Sequence, residues 1–99
     1  MDISVQELKQ RMDANEKLYI IDVREENEYE EFNIGARLIP LGELSDSLDD
    51  LEELKEQEII IHCRSGARSA RAQEYLESLG FDNVRNLVGG MLAWQKEGF

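Results

Sequence analysis

The one cysteine in the sequence, Cys63, is followed immediately by Arg64 and five positions later by Arg68, with Ser65, Gly66 and Ala67 between them and Ser69 next. Acidic residues outnumber basic ones by 22 to 11, yet none lies between Cys63 and Glu74, a stretch that also holds Arg71. A thiol is a nucleophile only as its thiolate, and cations or a helix N-terminus beside it favour that form. Forked guanidinium groups bind the oxygens of an anionic substrate. The pattern therefore points to a cysteine nucleophile acting on an anion, with Arg64 and Arg68 as substrate ligands and Arg71, a turn further on, at the surface. The bland reading is that a lone cysteine after an apolar strand is simply a small buried hydrophobe.

Such a loop needs a strand before it and a helix after it. "EIIIHC" (58–63) is a β-branched run, and "SARAQEYLESLGF" (69–81) has helical character and stops at Gly80. The thiol thus falls at the carboxyl end of a strand, where open α/β sheets bind ligands. Gly66 permits a tight turn, and the loop N–H groups with the positive end of a helix beginning near Ser69 form an anion nest. His62 is adjacent to Cys63, but successive strand residues face opposite ways. A structural or hydrogen-bonding role is expected for it.

The remaining elements alternate. "ISVQELKQRM" reads as a helix capped by Ser4, "KLYIIDV" as a strand, "REENEYEEF" as a loop with a short acidic helix, and "ARLIPL" as a strand closed by Pro40. Residues 43–58 carry eight acids and one Lys, with Leu44, Leu48, Leu51 and Leu54 along one side. They predict an amphipathic helix whose acidic face is solvated or docks a basic partner. "NVRNL" predicts a last strand and "VGGMLAWQKEGF" a last helix entered through Gly89 and Gly90. Alternating strands and helices imply an α/β fold with a parallel sheet covered on both faces.

Ninety-nine residues suit one domain, and 41% hydrophobic with 33% charged residues suit a globular one. A formal charge of -11 opposes binding to nucleic acid or to anionic membranes. The first residues lack an apolar core of signal-peptide length, so a cytoplasmic protein is expected. With a single cysteine there is no internal disulfide and no cysteine-based metal site. Any intermediate at Cys63 must be resolved by a thiol or other nucleophile from outside the chain.

Two reactions share a Cys-loop-Arg geometry. Tyrosine phosphatases place five residues between the two, whereas four intervene between Cys63 and Arg68, and Ser69 stands where their Arg falls. The sequence instead resembles the rhodanese family. "CRSGAR" followed by Ser69 is similar to the active-site loop of single-domain rhodaneses, "IDVREENEY" (21–29) and "GARLIPLGEL" (35–44) resemble the family's upstream motifs, and "VGGMLAW" (88–94) its closing motif. The resemblance runs through nearly the whole chain.

That resemblance implies one domain over 1–99, a three-layer α/β architecture with a five-stranded, mainly parallel sheet, and sulfurtransferase activity. Cys63 would take the outer sulfur of thiosulfate or of a persulfide donor and pass it to cyanide, a small thiol or an acceptor protein. Arg64 and Arg68 would orient the sulfonate, and no cofactor or metal is implied. Asp22 and Arg24 match the family's Asp-x-Arg as structural support near the site, the alternative being a surface ion pair. Trp94 matches a core residue of the last helix. Asn33 stands where the family more often has His. A non-catalytic interaction domain and a cysteine-dependent phosphatase or arsenate reductase are the competing readings.

Overall fold

A computed structural model describes residues 1–99. Ser4 caps the first helix, α1 (Val5–Asp13), by accepting a hydrogen bond from the Glu7 N–H at 3.1 Å. The chain continues through β1 (Ile20–Asp22), α2 (Glu26–Glu31) and β2 (Arg37–Leu38). Two 3₁₀ segments, Leu41–Ser47 and Glu52–Leu54, flank the short α3 (Leu48–Leu51). The second half runs β3 (Glu58–His62), α4 (Ala67–Ser78), β4 (Asn83–Asn86) and α5 (Gly90–Glu97).

The sheet has the order β2-β1-β3-β4 and every pairing is parallel, with Asp22 opposite His62 and Ile61 opposite Asn86. It has four strands rather than the five expected. At the edge beside β4 only Ile3 forms a bridge, to Leu87, because the chain turns into α1 one residue later at Ser4. Strand alternation divides the core into two layers. Ile59, Ile61 and Cys63 pack with Ala72 and Leu76 of α4 and with Leu44 and Leu51. Ile60 packs on the other face with Val5 and Leu8 of α1 and Met91 and Trp94 of α5.

Residues 43–58 do not form one helix. In the two 3₁₀ segments the leucines follow a three-residue period, Leu41 to Leu44 in the first and Leu51 to Leu54 across the start of the second, while Leu48–Leu51 stays α-helical. The chain tightens accordingly, burying Leu44 and Leu51 while leaving the acids outside. Helix α4 starts at Ala67, not near Ser69, so Arg68 and Ser69 belong to its first turn. No helix is long and apolar enough to cross a membrane.

Candidate active site

Cys63 lies just past β3, and its sulfur is turned into the start of α4. The Gly66 N–H donates to Sγ at 3.1 Å, and the Ser69 hydroxyl lies 3.4 Å from it. This tight turn requires Gly66, whose φ of +110° lies where a side chain is strained. The first N–H groups of a helix have no partner within it, so those of α4 are free to face the sulfur. Burial is the largest influence on the thiol and pushes its pKa up. The Ser69 hydroxyl and the N–H groups of Ser69, Gly66 and Ser65 together outweigh burial and hold the thiol below its ordinary value. Hydrogen bonds, rather than the arginines, are thus the leading stabilisers of the thiolate.

Ser69 is fully buried and is itself held from β4. Its Oγ lies 2.6 Å from Asn86 Oδ1 and 3.2 Å from the Gly66 carbonyl, to which Asn86 Nδ2 donates at 3.2 Å. Helix α5 fixes the other side of the loop. Its Met91 and Leu92 N–H groups donate to the carbonyls of Cys63 and Arg64, both at 3.0 Å. Only glycine fits where the two segments meet: a Cβ on Gly90, at φ +55°, would lie 2.5 Å from the Cys63 carbonyl oxygen.

The two expected substrate ligands differ. Arg64 is exposed, has no partner within the chain, and borders a depression of about 140 Å³ shared with Arg24, Glu28, Glu31, Phe32 and Leu92. Arg68 is not free for an anion: Glu28 of α2 holds its guanidinium by two hydrogen bonds, at 2.7 and 2.9 Å. Those bonds push the Glu28 carboxyl down to about 2 against the opposing effect of burial. Arg71 is exposed, as expected, while Ser65 and Ala67 are exposed members of the loop.

Asp22 and Arg24 are a buried pair, not a surface one. Arg24 Nε and Nη2 donate to the Asp22 carboxylate at 2.8 to 3.1 Å, and Nη2 also holds the Phe32 carbonyl at 2.7 Å. This ties the segment after α2 to the sheet beside the loop. The hydrogen-bonding part of the expectation for His62 fails. Both ring nitrogens are buried without a partner, the Asp22 carboxylate being 3.8 Å away, and burial holds the imidazole below its usual pKa. Trp94 is in the core, edge-on to Phe99 at 4.9 Å. Asn33 closes a turn by accepting from the Gly35 N–H at 2.9 Å.

Sequence reasoning missed Glu28 and Asn86. Asn86 had a readable signal, since it ends a parallel strand at the edge where Cys63 ends another. Glu28 was legible only as a local partner: its carboxylate accepts from the Glu25 N–H at 3.0 Å in a capping box.

The model of the rhodanese-like domain family matches residues 4–97. A Bacillus subtilis protein provisionally named a sulfurtransferase, YtwF, is 40% identical over 97 residues, covering 97% of this chain and 91% of its own. A protein named sulfurtransferase from Allochromatium vinosum is 33% identical over 98% of this chain and 90% of its own. Among solved structures, a rhodanese-like domain protein from Staphylococcus aureus superposes with a TM-score of 0.85 at 36% identity, covering 95% of this chain and 91% of that one.

Proposed function

The chain belongs to the rhodanese-like domain family, and from that premise we propose that it is a sulfurtransferase whose residues 1–99 act as one domain and carry sulfur on Cys63. The Cys63 thiolate attacks the outer sulfur of thiosulfate or of a persulfide. The sulfur-sulfur bond of the donor breaks, its electron pair leaves with sulfite or with the donor thiolate, and Cys63 becomes a persulfide. An external nucleophile (cyanide, a small thiol or a protein thiol) then attacks the outer sulfur and releases the Cys63 thiolate. The sequence supplies no second cysteine to resolve the intermediate.

The observation that carries this reading is the thiol facing Gly66 N–H at 3.1 Å and Ser69 Oγ at 3.4 Å, at the start of α4. Donors already in place stabilise negative charge on sulfur without reorganising during the reaction. The free guanidinium of Arg64 supports an anionic donor, and Asp22 with Arg24 supports the loop. Incubation with thiosulfate or a small persulfide should raise the intact mass by one sulfur atom, and cyanide should then release thiocyanate. Cys63→Ser should abolish both. Wild-type protein that gains no sulfur from either donor would sink the proposal.

A further inference from the structure

The ion pair between Arg68 and Glu28 changes which donor the site suits. Three guanidinium groups lie around the loop and its depression, those of Arg24, Arg64 and Arg68. Two of them are held by carboxylates, Arg24 by Asp22 and Arg68 by Glu28, and Arg64 alone has no ion-pair partner. Beside the loop only Arg64 therefore offers an unpaired positive charge, which the Cys63 thiolate offsets once it forms, on a protein of formal charge -11. A dianion approaching that thiolate is repelled, and a single free guanidinium, Arg64, is left to balance it.

We propose that Glu28, by occupying Arg68, is a specificity-determining residue that directs the site toward singly charged persulfide donors and away from thiosulfate. This rests on the sulfurtransferase reading and narrows its substrate class. Glu28 is doubly anchored, to Arg68 and to the Glu25 N–H, so it is not a loose side chain that an incoming sulfonate easily displaces. To grip thiosulfate with both arginines, the site must first break a two-bond ion pair. An alkyl persulfide needs no such step. The Cys63 thiolate attacks its outer sulfur, the donor sulfur-sulfur bond breaks, and the donor leaves as a thiolate that takes a solvent proton.

The test is Glu28→Gln, which removes the charge while keeping an oxygen for the Glu25 N–H; a thermal melt checks the fold. Sulfur loading of Cys63 is timed by intact mass with thiosulfate and, separately, with hydroxyethyl persulfide. The ratio of the thiosulfate rate to the persulfide rate should rise about tenfold in the variant, as befits neutralising one charge near a dianion. A ratio that stays within about twofold of wild type overturns the proposal, as does a wild-type protein that prefers thiosulfate. A second measurement does not need sulfur transfer: alkylation of Cys63 by anionic iodoacetate relative to neutral iodoacetamide. That ratio should also rise in Glu28→Gln. If wild type accepts sulfur from neither donor, the sulfurtransferase reading fails by itself, and the alkylation ratio still decides whether Glu28 sets the charge selectivity of the thiol.

Discussion

Replacing Ser69 with Ala should raise the Cys63 thiol pKa by about one unit. The hydroxyl has one proton and three acceptors near it: Asn86 Oδ1 at 2.6 Å, the Gly66 carbonyl at 3.2 Å and Cys63 Sγ at 3.4 Å. While Cys63 is a neutral thiol, the proton belongs to Asn86, the closest. When sulfur becomes anionic, turning the proton toward it gains a hydrogen bond to a charged group, worth roughly 1.5–3 kcal/mol, and gives up a neutral one worth about 1 kcal/mol. The difference, about 0.5–2 kcal/mol, is centred on about one pKa unit. The assay is the second-order rate of reaction with a neutral dipyridyl disulfide across pH. Below both pKa values the variant has about tenfold less thiolate, but each thiolate is about threefold more nucleophilic, so it reacts about threefold more slowly. Above both it reacts about threefold faster. The two profiles must therefore cross. Profiles that run parallel, or share an apparent pKa within about 0.3 unit, would show that the backbone N–H groups alone set the thiol and that Ser69 is only packing.

Arg24→Met should cost about 3–5 kcal/mol in denaturant unfolding, because it strands the Asp22 carboxylate, wholly buried, without its counter-charge; a loss below about 1 kcal/mol would refute the structural weight given to this pair. His62→Leu should flatten the acid side of the stability profile. Burial lowers the folded-state pKa of His62, so as pH falls through its unfolded value of about 6.5 the unfolded chain binds a proton that the folded chain resists, and stability declines. The substitution removes that decline between about pH 6.5 and pH 5, and an unchanged slope there would contradict a neutral buried imidazole.

The parts of the fold that follow from local periodicity were readable. The β-branched run before Cys63 makes β3, Ser4 caps α1, and the strand-helix alternation gives an all-parallel sheet. Residues 43–58 misled because leucine spacings of three and four fit an α-helix and a 3₁₀ turn almost equally well in one dimension. The segment mixes both: Leu44 is buried from a 3₁₀ turn and Leu51 from the α-helical turn between, both in the α4-side core. The site divided in the same way. The residues of the loop itself were legible because Cys63, Gly66 and Ser69 interact within one turn. The fate of Arg68 was not, because Glu28 lies 40 residues earlier and meets it only after α2 packs beside the loop. A count of charges along the chain showed no acid near the thiol, and the tertiary structure supplied one.

The two helices whose N-termini approach Cys63 have different tasks. Those of α5 are spent on the Cys63 and Arg64 carbonyls, which is possible only because Gly90 brings the backbones together without a Cβ. They fix the end of β3 and leave nothing for a ligand. Those of α4, with Ser69 steadied by Asn86, turn toward the sulfur. The thiolate is therefore stabilised chiefly by dipoles built into the fold, ahead of the charges of the arginines. A dipolar cradle of this kind needs no counter-ion to enter or leave as the sulfur gains and loses negative charge. In the proposed reaction it can serve the thiolate and the persulfide anion alike. Because the cradle carries the larger share of that task, the arginines and the carboxylates that hold them can discriminate among donors, and a change at Glu28 can then alter donor choice without dismantling the nucleophile.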